Sequence, residues 1–279
     1  MQIKKIIFDF GCNIGNNLDY FLLKSDVVVA IDANPQLIKI INEKYKLQIA
    51  EKKLFLENAA VFSSEEDNIN FYCSKKNSCL STLLKPKNLH LFDVINVKAI
   101  KASNLIKHYL EKFDIIDPYY VKIDIENSDH VVLEDIINNN IYSRYLSCEA
   151  HSIKVLDCIL RSKYQSFKVV EGIDIDFNFK QMIKSSINTD MSFQFLKGSS
   201  GPFGEDISKQ WLTSLDLITY FINNGKGWKD IHCSTKKELY GNEISYTAFN
   251  NPGSGFFYHS KSLIPSFIKL LRMTLRKII

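Results

Sequence analysis

Apolar residues along the first 170 positions follow two alternating patterns. Short apolar runs of strand length are separated by stretches in which apolar residues recur every three or four positions, as on one face of a helix. This alternation predicts an α/β fold, with a mainly parallel sheet covered by helices on both faces. Strands are predicted at 5–10, 27–32, 53–58, 92–99, 119–125, 143–149 and 165–170, and the clearest helices at 35–45, 102–113 and 129–137.

The pattern changes near Gly172, beyond which helix and strand periods become ambiguous. Glycine-rich turns follow at 198–204 and 225–228, and such clusters are typical of loops. We therefore predict two parts, a sheet domain at 1–171 and a cap with a C-terminal amphipathic helix at 172–279.

That C-terminal helix is predicted at 262–279, where apolar residues are interleaved with lysine and arginine. A basic amphipathic helix suits the surface of an anionic membrane, although this one is too charged to span the bilayer. Packing on its own domain or on a second copy of the chain, as in a homo-oligomer, is the more common arrangement.

Polar and glycine residues directly after the first apolar run indicate a nucleotide-cofactor site. Gly11 and Gly15 allow a tight turn between the first strand and the next helix. Asp32 ends the second strand about 20 residues beyond Gly11, at the separation that lets a carboxylate accept hydrogen bonds from ribose hydroxyls. Of the three glycines in the dinucleotide-binding pattern, this sequence has one, Gly11, with Asn13 and Asn16 at the other two positions. An acidic-x-G-x-G-x-G pattern, typical of S-adenosylmethionine sites, fits better, with Asp9 as its acid and Asn13 in place of the middle glycine.

Three segments resemble the FkbM-type S-adenosylmethionine-dependent methyltransferases. Residues 8–15 are similar to that family's D-x-G-A-N-x-G segment, 120–126 to its K-x-D-x-E-G segment, and 57–61 supplies a third match. The resemblance covers residues 6–152. It implies a Rossmann-like class I methyltransferase fold and O-methyl transfer to a sugar hydroxyl of a nucleotide-activated or polymer-bound glycan, in a surface-polysaccharide or natural-product pathway.

Residue by residue, the resemblance implies three groups of cofactor contacts. The methionine side would be lined by Gly11, Asn13 and Gly15, the ribose contacted by Asp32 and Asn34, and the adenine flanked by Asn58 and Ala59. One departure is Asn127, which stands where the family usually has glycine. Asparagine tolerates a left-handed backbone, so this turn is expected to survive.

A hydroxyl acceptor needs a base, because it is a poor nucleophile at neutral pH. We expect His151 to take the proton, oriented by Glu149, with Asp124 as the second candidate. Lys122 and Asp124 share a face of a central strand, where buried charge is costly unless it is paired or used at the site. Lys122 and Glu126 are predicted to contact the acceptor. Oxygen-rich sets of this kind also suit magnesium or calcium, but no fixed ligand spacing is present and no metal site is predicted.

The loop after the first glycine-rich turn is expected to contact the acceptor through Asp206 and Trp211. A carboxylate can accept hydrogen bonds from sugar hydroxyls and an indole can stack on a pyranose ring. A plain surface loop is the alternative interpretation of the same residues.

Composition and charge indicate the general class of protein, its partners and its compartment. With 46% hydrophobic and 24% charged residues and a net charge of +4, the chain is typical of a soluble globular protein. Its lysines are dispersed, so a nucleic-acid partner is not indicated. Six cysteines without a C-x-x-C pair, and a first apolar run too short for a signal peptide, predict free thiols and a cytoplasmic protein, with any membrane contact at the inner face. An NAD-dependent oxidoreductase and a non-catalytic cofactor-binding partner in a glycan-assembly complex are the alternative functions.

Overall fold

A computed structural model describes residues 4–172, 179–225 and 228–238. The strands are β1 (Ile6–Phe10), β2 (Val27–Asp32), β3 (Leu54–Asn58), β4 (Ala60–Val61), β5 (Glu66–Ser74), β6 (Phe92–Ile100), β7 (Tyr120–Ile123), β8 (Tyr145–Glu149), β9 (Ser166–Glu171), β10 (Phe179–Lys184), β11 (Asp190–Phe195) and β12 (Lys229–Ser234). The helices are α1 (Leu18–Lys24), α2 (Pro35–Lys44), α3 (Lys46–Ala50), α4 (Ala102–Phe113), α5 (Asp129–Asn138), α6 (Ile153–Arg161) and α7 (Ser214–Asn224).

Seven strands form the central sheet, in the order β3-β2-β1-β7-β8-β12-β9. Neighbouring strands are parallel, except that β12 runs antiparallel to both β8 and β9. The middle strands β1 and β7 are buried along their whole length, as expected for a parallel sheet covered on both faces. The α/β fold predicted from the sequence is confirmed.

The predicted strand at 92–99 is β6, but it lies outside the central sheet. It pairs with β4 and, antiparallel, with β5 in a separate three-stranded sheet. Exposed and less exposed residues are interspersed along both β5 and β6, as expected where one face of a sheet is solvated. The second sheet places residues of β5 beside the end of β2.

The central sheet extends beyond the predicted boundary at residue 171, because β12 inserts between β8 and β9. Residues from the second half of the chain therefore complete the first domain. The predicted C-terminal helix at 262–279 lies outside the described residues. Within the described part of the chain, none of the helices combines the length and apolar character that crossing a bilayer requires.

Candidate cofactor site

A cavity of about 280 Å³ opens where β1, β2 and β7 end. Its walls come from the loop after β1, the ends of β2 and β7, the segment after β3, the turn at 77–83 and the loop at 198–200. Ligands of parallel sheets bind outside the carboxyl ends of the strands. The cavity therefore occupies the position that the sheet topology favours for a small molecule.

Gly11 closes one wall of this cavity through a backbone contact. It has a φ of +84°, and a Cβ at this position would lie 1.8 Å from the carbonyl oxygen of Asp124. The amides of Gly11 and Cys12 both donate to the carbonyl oxygen of Ile31 at 3.0 Å. The loop after β1 is thus held between the ends of β2 and β7, and only glycine fits at its tightest point.

Asp32 lies at the cavity with its carboxylate already oriented. One oxygen accepts from the amide of Asn13 at 2.9 Å and the other from the amide of Asn34 at 2.8 Å. Burial raises the pKa of Asp32 to about 6, while these two amides act to lower it. The carboxylate is therefore ionised at neutral pH, and its remaining lone pairs can accept further hydrogen bonds.

Four of the predicted cofactor residues line the cavity together, namely Gly11, Asn13, Asp32 and Ala59. The other four lie behind or beside it. Asn34 accepts from the amide of Gln36 as the N-cap of α2, and Asn58 donates to the carbonyl oxygens of Asp32 and Ala33. Gly15 packs on Leu18 at the start of α1, with a φ of +79°. Asp9 is completely buried.

An apolar part of the cavity was not expected from the sequence. Ala60 and Phe71 belong to one buried cluster with Ala33, and Leu83 packs against that cluster; all four side chains line the cavity. Phe71 belongs to β5, whose polar residues conceal the strand in the sequence pattern. The turn at 77–83 adds polar contacts, since Ser78 donates to the Asn13 side chain at 3.0 Å.

An ion trio lies at the cavity wall, where Lys122 and Asp124 are lining residues and Asp9 is buried. Lys122 Nζ is 3.4 Å from Asp9 Oδ1 and 3.1 Å from Asp124 Oδ2. Burial alone would lower the pKa of Lys122, but Asp124 and Asp9 raise it well above its ordinary value. The expected pairing of Lys122 with Asp124 is therefore present, and Lys122 is a cation at neutral pH.

His151 lies outside the residues that line the cavity, although Glu126 and Asp124 belong to them. Its Nε2 is 2.7 Å from Glu149 Oε2 and 3.9 Å from Glu126 Oε2. The contact with Glu149 raises the pKa of His151 to about 9, against the effect of burial. A protonated imidazole cannot accept a proton, so this geometry does not favour His151 as the base.

Asp206 and Trp211, expected at the acceptor, lie in the core instead. The Asp206 side chain is 4% exposed, forms a 2.7 Å ion pair with Lys24 and accepts from the Tyr20 hydroxyl at 2.7 Å. Trp211 is buried and stacks on Tyr145. Gly198 and Ser200 are the residues of this loop region that reach the cavity, because Asn17 holds the amide of Ser200 at 2.7 Å.

Metal-ligand geometry is not found in the described ranges, where no group of three or more histidine, cysteine, aspartate or glutamate side chains is arranged to hold an ion. The carboxylates near β7 and β8 contact lysine, histidine and backbone amides.

The sheet order decides the fold: mainly parallel strands, with one antiparallel strand inserted next to the last position. The chain has a Rossmann-like fold. No family model matches the sequence, and no curated protein matches it.

Solved structures that resemble this fold include methyltransferase FkbM from Methylobacillus flagellatus. The two sequences are 13% identical, the TM-score is 0.38, and the match covers 61% of this chain and 40% of that one. An rRNA methylase from Streptococcus thermophilus has 9% identity, a TM-score of 0.37 and coverage of 84% and 88%. A precorrin-8w decarboxylase from Methanobacterium thermoautotrophicum has 13% identity, a TM-score of 0.33 and coverage of 69% and 77%. The chain thus spans 40% of the length of the FkbM structure, and these likenesses concern the fold alone.

Proposed function

We propose that this protein is an S-adenosylmethionine-dependent O-methyltransferase that acts on a sugar hydroxyl of a glycan. The observation that carries the proposal is the joint position of Gly11 and Asp32. Gly11 lets the loop after β1 pack against the Asp124 backbone at the cavity wall, and Asp32 presents an ionised carboxylate in the same cavity. A nucleoside at the strand ends would use both features, because the tight turn leaves space for it and the carboxylate can accept from its ribose hydroxyls.

The lining of the cavity supports one orientation of this cofactor. The apolar wall formed by Ala60, Phe71 and Leu83 suits a flat adenine base. Asp32, between that wall and Gly11, would accept from the ribose hydroxyls. The methionine end would then lie toward the loop at 198–200, where backbone and hydroxyl groups are available.

A dinucleotide fits this site less well. Its pyrophosphate requires a nest of backbone amides beside closely spaced glycines. Here Asn13 stands at the middle position, and its side chain is engaged by Ser78 and by Cys79, 3.1 Å from its amide nitrogen. The oxidoreductase alternative is therefore the weaker one.

Methyl transfer asks the chain mainly to hold two reactants in line and to neutralise charge. When bound, S-adenosylmethionine supplies a methyl group on a sulfonium centre. Asp124 and Glu126 face the cavity and provide negative charge near that centre, while Lys122 fixes Asp124 from below. The same carboxylates can accept hydrogen bonds from a sugar hydroxyl.

The wall of the cavity near Asp124 carries less negative charge than its composition suggests. Burial, together with Asp124, raises the pKa of Glu149, of Asp129 to about 7 and of Asp230 to about 8. Asp230 is therefore mostly neutral at pH 7, and Lys122 and His151 add positive charge. Both nucleotide-activated and polymer-bound glycans are accordingly proposed as acceptors.

Methyl transfer from tritiated S-adenosylmethionine tests this function. The acceptors would be a panel of neutral oligosaccharides and, in parallel, the nucleotide diphosphates of the same sugars. We expect label in at least one of these two glycan classes. Binding of S-adenosylhomocysteine without transfer to any acceptor would favour the non-catalytic alternative, and no binding would contradict the proposed function itself.

A further inference from the structure

Glu126 stands in a strained turn at the cavity wall. Glu126 and Asn127 are consecutive non-glycine residues with φ of +52° and +66°. Two contacts hold this turn, one from the Ile125 amide to Asp129 Oδ1 at 3.1 Å and one from the Thr82 hydroxyl to the Glu126 carbonyl oxygen at 3.4 Å. Strained backbone persists only where its surroundings fix it, and it is frequent at functional sites.

The other carboxylates of the cavity have closer polar partners. Asp124 is paired with the Lys122 ammonium at 3.1 Å. Both oxygens of Asp32 accept backbone amides, on the side of the cavity expected to hold the ribose. Glu126 accepts one long hydrogen bond of 3.5 Å from the Asn127 side chain, and its ion-pair partner His151 lies 3.9 Å away, beyond hydrogen-bonding distance.

Two carboxyls and one cation act on Glu126. Asp124 on its own loop and Glu149 on β8 oppose its ionisation, and His151 favours it. Cys79, from the turn at 77–83, also faces it, but burial raises the pKa of this thiol, which is neutral at pH 7. Burial is the largest effect on Glu126. Together with Glu149 and Asp124, it outweighs His151 and raises the pKa of Glu126 to about 7. The side chain is still 21% exposed, so a proton can pass from it to solvent.

We propose that Glu126 is the general base of the methyl transfer, a proposal that rests on the proposed function. Its carboxylate takes the proton of the acceptor hydroxyl while the new oxygen–carbon bond forms. The carbon–sulfur bond of the sulfonium breaks, and sulfur keeps that electron pair and becomes a thioether. Glu126 then releases the proton to solvent. His151 acts as a positioning residue, whose charge holds Glu126 and Glu149 in place.

Two variants separate these roles. Glu126→Gln removes the base, and we expect kcat to fall by about 100-fold or more with S-adenosylhomocysteine affinity unchanged. His151→Gln removes only the cation, so methyl transfer persists. The acidic limb of its pH–rate profile should move to higher pH, because Glu126 loses the charge that favours its ionisation. Glu51→Gln is the matched control, since Glu51 lies on the surface in an ion pair with Lys53.

Carboxyl ¹³C NMR of glutamate-labelled protein, with S-adenosylhomocysteine bound, provides the readout that does not depend on the acceptor. We expect one glutamate resonance to titrate with a midpoint near pH 7. This resonance should be absent in Glu126→Gln, and its midpoint should move to higher pH in His151→Gln. A Glu126 midpoint near the ordinary 4.5 would overturn the proposal, as would normal turnover in Glu126→Gln. Failure of the wild-type protein to bind S-adenosylhomocysteine would instead refute the proposed function, so the two failures are distinguishable.

Discussion

Replacement of Gly11 by alanine tests the close approach on which the cofactor site depends. The new Cβ would lie 1.8 Å from the carbonyl oxygen of Asp124, so these backbones must separate by more than about 1 Å to reach the shortest contacts found in packed proteins. They cannot separate freely, because the amide of Asp124 donates to the carbonyl oxygen of Phe10 at 3.0 Å. We expect overpacking of about 1–3 kcal/mol and left-handed strain of about 1–2 kcal/mol, together about 2–5 kcal/mol of unfolding free energy.

Gly225→Ala is the control for backbone strain without overpacking. Gly225 has a φ of +63° and a ψ of −173°, a region that essentially only glycine adopts, but a Cβ there would meet nothing within 4 Å, so the loss should be about 1–3 kcal/mol. Equilibrium urea unfolding gives the free energies, and isothermal titration with S-adenosylhomocysteine gives the affinities. Gly11→Ala should lose both stability and affinity, and Gly225→Ala stability alone. Equal stability of the two variants, with wild-type affinity in Gly11→Ala, would refute the close-approach argument.

Three further predictions concern individual buried groups. Asp32→Asn should weaken S-adenosylhomocysteine binding by about 10-fold or more, the free energy of a charged hydrogen bond. In the wild type, the affinity should fall below pH 6, where Asp32 becomes protonated. Unchanged affinity in Asp32→Asn would exclude Asp32 from the ribose site. Burial lowers the pKa of His232 to about 3. Its neutral form therefore contributes stability that is fully present above pH 6.5 and is lost as pH falls toward 3. The His232→Leu variant should not show this loss of stability in acid, and an acid-unfolding profile equal to that of the wild type would contradict the prediction. Asp206→Asn leaves the Lys24 ammonium without its 2.7 Å partner and should cost about 3–5 kcal/mol in urea unfolding without changing cofactor affinity, whereas a loss of affinity alone would restore Asp206 to the ligand site.

Much of the central sheet could be predicted from sequence because its strands are buried on both faces. Runs such as 27–32 are apolar almost throughout, and their short length and β-branched residues favour a strand over a helix. In contrast, β5 and β12 carry polar residues at most positions. Their pairing depends on partners far along the chain, which a local pattern does not contain.

The residues of the candidate site likewise fall into those that a local sequence pattern predicts and those that depend on long-range packing. The turn at Gly11 and the acid at Asp32 follow from local geometry and spacing, and both reach the cavity. Asp206 follows a glycine-rich turn and resembles a loop acid, yet Lys24 pairs with it from 182 residues away. The protonation state of His151 depends likewise on how Glu149 and Glu126 approach it in space. Such long-range charge pairing is decided by packing and leaves no periodic signal.

Equilibrium competition between S-adenosylhomocysteine and NADH tests the central claim most directly. Because Asn13, engaged by Ser78, stands where a diphosphate would require a glycine, we expect saturable calorimetric binding of S-adenosylhomocysteine at one site per chain. NADH should neither bind nor displace it. Binding of NADH at this site, with no heat from S-adenosylhomocysteine, would contradict the account.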